Sequence, residues 1–162
     1  MTVRVGKGIN DLKATVALLH HACSRSIYAK MGGVNEKYAT ELFARAAWFH
    51  GQYEAGGMFW LVSEVDGKIE GFFLGQLAPV YHVGTKLEAQ DIYLYTTGRA
   101  GPLDAVIMLR AFWKWAEACP EVIEITGSNS DFIPGNKEKL GRFLLSSGFV
   151  ETNSVYKRRI AR

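Results

Sequence analysis

The chain has little cysteine and little proline, and it contains no long run of apolar residues. Only 2 cysteines and 4 prolines occur among 162 residues, and no Cys-x-x-Cys or other zinc spacing is present. We therefore expect no disulfide framework and no metal site, and we interpret Cys23 and Cys119 as reduced core thiols of a cytoplasmic protein. No apolar stretch approaches the roughly 20 residues that span a membrane, and the first residues lack the apolar region of a signal peptide.

The chain also lacks a strong excess of either charge. Its 19 basic and 16 acidic residues give a formal net charge of +3, which is too small to argue for nucleic acid as a partner. Apolar residues make up 48% of the chain and charged residues 22%, a composition typical of a globular protein with a full core. Because no linker or internal repeat divides the sequence, we expect a single domain over residues 1–162.

The hydrophobic pattern predicts elements in the order β-α-α-β-β-β-α-β-α-β. Residues 2–5 form the first strand. A helix is expected to begin at Asp11 behind an Asn10 cap, and a second to run from an Asn35 cap to about Glu54.

The middle and end of the chain predict most of the sheet. The expected elements are strands Met58–Val65, Lys68–Leu77, Asp91–Tyr95 and Glu121–Thr126, a helix capped near Asn136 with Gly148 at its C′ position, and closing strands within Phe149–Ile160. Asp66-Gly67 predicts a type I′ hairpin turn, and Gly71 and Gly75 are candidate bulges. An antiparallel meander before a β-α-β-α-β unit predicts an α/β (α+β) fold, with a mixed, mostly antiparallel, twisted sheet flanked by helices.

The segment Ala89–Ala116 joins a strand, a glycine-containing turn and a helix that is predicted to open at Pro102. The first turn of a helix carries unpaired N–H groups and the positive end of the helix dipole, so it favours phosphate. Gly98 and Gly101 would let the backbone approach such a ligand closely. The pattern is neither a P-loop nor a dinucleotide fingerprint. A strand–turn–helix connection that holds no ligand is the alternative.

Taken together, several motifs resemble the GCN5-related N-acetyltransferase (GNAT) family. They are the element order, the Asp66-Gly67-Lys68 hairpin, the Asp91-Ile92-Tyr93-Leu94 strand, the glycine turn and the helix end Ser147-Gly148-Phe149. The likeness covers most of the chain, most clearly residues 58–159. The Gly98–Gly101 turn and Leu140-Gly141-Arg142 look like a variant seen among phage and prophage members.

The resemblance implies a GNAT-like acyl-CoA N-acyltransferase fold, acetyl-CoA as the cofactor and direct transfer of its acetyl group to an amine. In the family, backbone N–H groups of the turn hold the pyrophosphate. The pantetheine lies between the strand before the turn and the next strand. The implied cofactor-binding residues are Tyr93, Leu94, Gly98, Arg99, Ala100, Gly101, Leu103 and Asn136.

The sequence departs from the family pattern at several positions. Thr96 stands where members have Arg or Gln, and Arg99 replaces the first glycine of the turn. Pro102 has no N–H to donate, and Asp104 places in the first turn an acid that stabilises a helix but repels phosphate. Leu144 occupies the place where many members keep a tyrosine as general acid. These departures keep open an alternative, a non-catalytic module that binds CoA weakly or serves as an interaction or structural protein.

Acetyl transfer to an amine needs a group that accepts the amine proton, because roughly 1 lysine-like amine in 2,500 is neutral at pH 7. We favour Asp91 over Glu88 as this base, with a surface acid at the start of a strand as the alternative. A backbone N–H of Leu94 or Tyr95 could donate a hydrogen bond to the oxyanion that forms during transfer. With no tyrosine at the family position, Tyr93, Tyr95 or Tyr156 is the candidate general acid, unless each is only a packed aromatic. The predicted catalytic residues are Asp91, Tyr95 and Tyr156.

The acceptor is the least defined part of the prediction. In folds of this kind the first two helices and the loop Pro79–Ala89 usually shape its site, and here they supply aromatic and moderately polar residues without an acidic cluster. We expect a small-molecule or peptide amine rather than a polycation. Neither nucleic acid nor a membrane is an expected partner, and a homodimer is left open beside a monomer.

Overall fold

A computed structural model describes residues 2–26, 29–30, 32–127 and 137–151. The elements in chain order are β1 (Thr2–Val5), α1 (Gly8–Ser24), α2 (Glu36–Trp48), β2 (Met58–Val65), β3 (Lys68–Pro79), β4 (Leu87–Thr96), α3 (Asp104–Glu117), β5 (Val122–Thr126) and α4 (Lys137–Ser146). This order matches the predicted one up to the last helix.

The strands form one sheet in the order β1-β2-β3-β4-β5. The first four strands pair antiparallel, and β5 pairs parallel to β4. The last pair is parallel because α3 carries the chain back along the sheet before β5 begins, as parallel neighbours require. The predicted mixed, mostly antiparallel sheet is confirmed.

Helices cover both faces of the sheet and divide the core in two. On one face α1 and α2 cover a buried cluster that includes Phe43, Trp60, Phe72 and Leu74. On the other face α3 covers a cluster that includes Phe73 and Phe112, and α4 adds partly buried side chains at its margin. The alternation of strand side chains between two apolar layers explains why β2 and β3 are hydrophobic almost throughout.

Three local predictions are confirmed. Asp66 and Gly67 both have positive φ, 50° and 76°, as a type I′ turn requires. Asn35 caps α2, since its side-chain oxygen accepts the N–H of Tyr38 at 3.1 Å. Gly148 has a φ of 91°, and the hydrogen bonds around it close α4 in a Schellman motif. In addition, Cys23 and Cys119 are buried and free.

The predicted start of α1 is wrong by about one turn. The helix begins at Gly8, and Asn10 is not its cap. The carboxylate of Asp11 reaches back to the N–H of Lys7 at 2.9 Å and is held by Arg4 at 2.6 Å. Asp11 therefore lies inside the helix, where its side chain performs the capping role that the sequence had suggested for Asn10.

The predicted end of α2 is also wrong. The helix ends at Trp48 rather than near Glu54. The chain then joins the edge of the sheet, because the N–H of Gly51 donates to Met58 and the N–H of Met58 donates to Phe49. These backbone hydrogen bonds use the groups that would otherwise extend the helix. The periodicity of the sequence cannot predict them, because they join the helix end to a strand.

Three boundaries near the turn differ from prediction. Strand β3 extends to Pro79 and β4 already begins at Leu87, so the connection between them is shorter than expected. Helix α3 begins at Asp104, two residues after Pro102, which lies in the preceding turn. Within the described residues, Phe149–Glu151 form no strand. The remainder of the predicted closing strands lies outside the described residues.

The two candidate bulge glycines have different roles. The β2–β3 register shifts next to Gly71, and the β3–β4 register shifts next to Gly75. At the second shift the additional residue is Ile92 on β4, because Leu74 pairs with Tyr93 and Gly75 pairs with Asp91. A Cβ at Gly75 would lie 2.5 Å from the ring of Phe112. This glycine therefore allows α3 to pack closely on the sheet.

Candidate functional site

The turn between β4 and α3 is tied to strand β3 by the buried side chain of Glu70. The backbone N–H of Thr97 donates to the carbonyl oxygen of Glu70 at 2.8 Å. The hydroxyl of Thr97 donates to the Glu70 carboxylate at 2.6 Å. The guanidinium of Arg99, largely exposed, lies 3.5 Å from the same carboxylate. The first half of the turn is therefore held in a fixed position against the end of the sheet.

The second half of the turn is held by Asp104, the first residue of α3. Its side chain is 1% exposed. The hydroxyl of Ser63 on β2 donates to its Oδ2 at 2.5 Å, and the N–H of Gly101 donates to the same atom at 3.0 Å. Sequence reasoning treated Asp104 as an acid that faces a ligand. The structure instead turns its carboxylate inward, beneath the turn.

The hydrogen bonds of the turn determine which N–H groups face outward. Arg99, Ala100 and Gly101 each donate their N–H within the turn or to Asp104. Among the residues that the structure describes, no acceptor is found for the N–H groups of Gly98, Leu103, Ala105 and Val106. The last three belong to the start of α3, where a helix leaves donors unsatisfied. The start of α3 thus offers a set of donors at the positive end of a helix dipole.

Strand β4 extends beyond its parallel neighbour. The ladder between β4 and β5 ends at Gln90 and Thr126, while β4 continues to Thr96 along β3. The bulge at Ile92 lies just past this point and increases the local twist. This is the place where the resemblance expects the pantetheine to lie, and it leads directly into the turn before α3.

Tyr93 and Tyr95 belong to the face of the sheet that carries α1. The ring of Tyr95 is buried, with its centroid 6.3 Å from Phe72 and 6.1 Å from His21. Burial raises the pKa of the Tyr95 hydroxyl, and the guanidinium of Arg25 opposes that rise. Burial also raises the pKa of Tyr93. Both phenols therefore remain protonated at neutral pH and can donate a proton or a hydrogen bond.

The two candidate bases project from opposite faces of β4. Asp91 pairs with Gly75, whose missing Cβ points to Phe112, so Asp91 lies on the α3 face. Glu88 lies on the other face, which also carries Tyr93 and Tyr95. This separation arises from the period of two along a strand, which the bulge shifts by one residue.

Glu88 is the end of a short chain of polar side chains. Gln76 on β3 donates to the side-chain oxygen of Gln90 at 2.9 Å, and Gln90 donates to the Glu88 carboxylate at 2.6 Å. Glu88 is only 9% exposed. The carboxylate is thus oriented by an amide and forms no ion pair within the described residues, so it can accept a proton from an amine that comes within hydrogen-bond reach. The sequence ranks Glu88 second because Asp91, and not Glu88, begins the Asp91-Ile92-Tyr93-Leu94 run that resembles the family's.

The remaining predicted positions are distributed around this site. Leu103 is exposed at the turn, and Leu94 belongs to the α3 face of β4. Leu144 is buried on α4, where its methyl groups pack close to Gly127. Tyr156 and Asn136 lie outside the described residues, and their predicted roles remain predictions.

Other features of the surface give little that resembles a site. In the described part of the chain, no group of three or more His, Cys, Asp or Glu residues could hold a metal ion. No helix there is long and apolar enough to cross a membrane. A shallow groove of about 450 Å³ lies between α1 and the β2–β3 hairpin, far from Glu88. Its one marked feature is the guanidinium of Arg4, which is neutralised by Asp11 and Glu64 at 2.6 Å each.

Comparison by sequence finds no relative: no family model matches this chain, and no curated protein matches it. Comparison by structure finds acetyltransferases. The ribosomal-protein-alanine N-acetyltransferase of Brucella melitensis biovar Abortus 2308 is 17% identical with a TM-score of 0.66, and the match covers 98% of each chain.

Two further solved structures contain CoA-derived ligands. AAC(6')-Iy, in complex with the bisubstrate analog CoA-S-monomethyl-acetylneamine, is 14% identical with a TM-score of 0.64, over 99% of this chain and 98% of that chain. A predicted acetyltransferase with acetyl-CoA from Clostridium acetobutylicum is 18% identical with a TM-score of 0.61, over 98% of this chain and 95% of that chain. At such identities the likeness establishes the fold, and the acetyltransferase-like fold expected from the sequence is confirmed.

Proposed function

We propose that this protein is an acetyl-CoA-dependent N-acetyltransferase of the GCN5-related family, which transfers the acetyl group directly to an amine. One observation carries the proposal. The start of α3 presents N–H groups of Leu103, Ala105 and Val106 without acceptors in the described residues, and it follows the part of β4 that continues past the last β4–β5 pair. The fold shared with solved acetyltransferases supports the same conclusion.

The residues present fit the phosphate part of the cofactor. A pyrophosphate needs several donors and a positive field, and the first turn of α3 offers both. Arg99 adds an exposed positive charge near the turn. Asp104, the acid that could repel phosphate, is buried and engaged by Ser63 and Gly101. We infer that Gly98, Leu103, Ala105 and Val106 supply the donors, rather than the N–H groups of Arg99, Ala100 and Gly101.

When bound, acetyl-CoA supplies a thioester whose acetyl group can move to an amine. The protein must then accept the amine proton and supply one to the departing thiolate. We assign the first task to Glu88, directly or through a water molecule, because its carboxylate is buried, is oriented by Gln90 and shares a sheet face with Tyr93 and Tyr95. We assign the second task to Tyr93 or to a water molecule, since burial keeps the phenol of Tyr93 protonated, whereas Tyr95 stands seven residues from Glu88 along β4, about 20 Å away.

A specific observation favours a second candidate function. Leu144 is buried against Gly127, at the place where the family resemblance expects a tyrosine acid. A chain that had lost its acid could retain the fold as a module that binds CoA without turnover. Tyr93 or a water molecule must replace that acid if the protein is an enzyme, so the two candidates differ in catalysis and not in binding.

Calorimetric titration with acetyl-CoA, followed by an assay of CoA release with a panel of small and peptide amines, tests the proposal. We expect binding and, with at least one amine, release of CoA together with an acetylated amine detected by mass spectrometry. Binding without turnover on every amine would favour the non-catalytic module. Absence of binding would overturn both candidates.

Several finer features remain predictions from the sequence. The likeness of the Gly98–Gly101 turn to phage and prophage variants is one of them, and the choice of a small-molecule or peptide amine as acceptor is another. A cytoplasmic location is a third, and it is supported by two buried free thiols that a reducing compartment would preserve.

A further inference from the structure

The outer side of helix α2 carries an unusual amount of exposed aromatic surface. Tyr38 is 68% exposed and Trp48 is 79% exposed. Glu41 and Arg45 lie between them on the same side, because the spacing of three, four and three residues follows the helical repeat. We call these four residues the α2 stripe. It lies opposite the buried side of the helix, which is formed by Ala39, Phe43 and Ala46.

The α2 stripe is complementary to itself. Tyr38 and Trp48 lie five residues on either side of Phe43, and Glu41 and Arg45 lie two residues on either side. If a second copy of α2 packs antiparallel across a two-fold axis that passes near Phe43, Tyr38 faces Trp48 of the other copy. Glu41 then faces Arg45 of the other copy, and the reverse pairs form by symmetry.

The charges of the stripe are available for such a contact. Within the described residues, neither Glu41 nor Arg45 forms an ion pair. In the part of the chain that the structure describes, the guanidinium of Arg45 makes one polar contact, with the sulfur of Met58 at 3.6 Å. Trp, Tyr and Arg are also the side chains that contribute most often to the centre of protein interfaces.

We propose that a second copy of this chain covers the α2 stripe in an antiparallel homodimer. Opposite charges face each other in this antiparallel arrangement. In a parallel pair in register, Glu41 would face Glu41 and Arg45 would face Arg45. Helix α2 has 13 residues, so it is about 20 Å long. An interface based on one helix of this length is small, and we expect a reversible dimer with a dissociation constant in the micromolar range.

Charge exchange at positions 41 and 45 tests the proposal by sedimentation velocity. Glu41→Arg puts two arginines on each stripe, and Arg45→Glu puts two glutamates on each stripe. Each single variant should self-associate about tenfold or more weakly than the wild type, because like charges then face each other. An equimolar mixture of the two variants should dimerise again, since every opposed pair is then Arg with Glu.

The mixture distinguishes contacts between two chains from effects within one helix. The like charges at positions 41 and 45 repel each other within each variant, and mixing does not remove that repulsion. Trp48→Ser provides a second test and should also weaken the dimer about tenfold. Leu145→Ser, at another exposed apolar position on a helix, is the matched control and should change nothing. Circular dichroism of each variant verifies that it is folded.

Three results would overturn the proposal. The first is a wild-type protein that stays monomeric into the millimolar range, in which case the stripe meets a different partner. The second is a dimer that is insensitive to both charge changes and to Trp48→Ser, which would place the contact elsewhere. The third is a mixture of folded single variants that associates no better than either variant alone.

Discussion

Ser63 on strand β2 donates a hydrogen bond of 2.5 Å to the buried carboxylate of Asp104, the first residue of α3. The same oxygen accepts the N–H of Gly101 at 3.0 Å. The sheet thereby holds both the turn and the helix start that follows it. An acid in the first turn of an exposed helix would oppose an anionic ligand. Here it lies beneath the turn and leaves the outward N–H groups accessible.

Ser63→Ala should loosen this connection. The variant removes one of the two donors to a buried carboxylate, so the free energy of unfolding should fall by about 1–3 kcal/mol. Acetyl-CoA affinity should fall several-fold, because only the N–H of Gly101 then holds the carboxylate of Asp104 among the described residues. Chemical denaturation and calorimetry measure the two effects. Ser24→Ala is the control, since that exposed hydroxyl donates to the carbonyl of His21 in its own helix and makes no other hydrogen bond within the described residues. It should change stability by less than about 0.5 kcal/mol. Equal effects of the two substitutions would contradict this role of Ser63.

Gly98→Val should separate binding from folding. A Cβ at Gly98 meets nothing within 4 Å, and its φ is not in the left-handed region. The substitution should therefore leave the melting temperature nearly unchanged. The branched side chain would instead occupy the open space in front of the turn, where we place the pyrophosphate, and acetyl-CoA affinity should fall about tenfold or more. Calorimetry with a folded variant that binds as tightly as the wild type would place the phosphates elsewhere.

Glu88→Gln and Asp91→Asn together identify the base. Glutamine preserves the shape at position 88 and can still accept the N–H of Gln90, but it cannot take a proton. With an acceptor found in the amine panel, kcat should fall about 100-fold in Glu88→Gln while acetyl-CoA affinity stays the same. The loss should shrink at high pH, where more of the amine is already neutral. Asp91→Asn should have a much smaller effect, and a larger loss in Asp91→Asn than in Glu88→Gln would restore Asp91 as the base.

Arg4 should control the stability of the fold in acid. The Arg4 guanidinium beside Asp11 lowers the pKa of that carboxyl. A folded-state pKa that is depressed contributes stability above the ordinary value of 3.8, and this stability is lost as the pH falls through the folded-state pKa. Arg4→Met should therefore be less stable at pH 7 and should lose less further stability below pH 3.8. Urea denaturation across this pH range tests the prediction.

The control for the loss of stability in acid is Lys86→Met, which breaks the exposed ion pair of Lys86 and Glu121. Exposed pairs contribute little to stability, so the acid dependence of this variant should follow the wild type. An Arg4→Met protein with the same acid dependence as the wild type would mean that Asp11 keeps its low pKa through the N–H of Lys7 instead.

Much of the fold could be predicted because it depends on local chemistry. The Asp66-Gly67 turn requires positive φ at both residues, the Asn35 cap needs a short polar side chain, and Gly148 ends α4 in the left-handed region. Each of these signals lies within a few residues of the structure that it causes. The predicted end of α2 was wrong for the opposite reason, since Met58 on β2 stops the helix through backbone hydrogen bonds with Phe49 and Gly51. The start of α1 is local too, but its cap is the side chain of Asp11 inside the helix rather than a residue before it.

The sequence by itself determined the element order, the mixed sheet and the position of the glycine turn between a strand and a helix, because periodicity and turn chemistry are read along the chain. Only the tertiary structure decided the orientation of the acids around that turn. Asp104 turns inward because Ser63, 41 positions earlier in the chain, lies beneath it. Glu88 shares the face of Tyr95 because the bulge at Ile92 shifts the alternation of β4 by one residue. Both facts depend on which strands become neighbours, and the free energy that brings distant segments together is the burial of the two apolar cores.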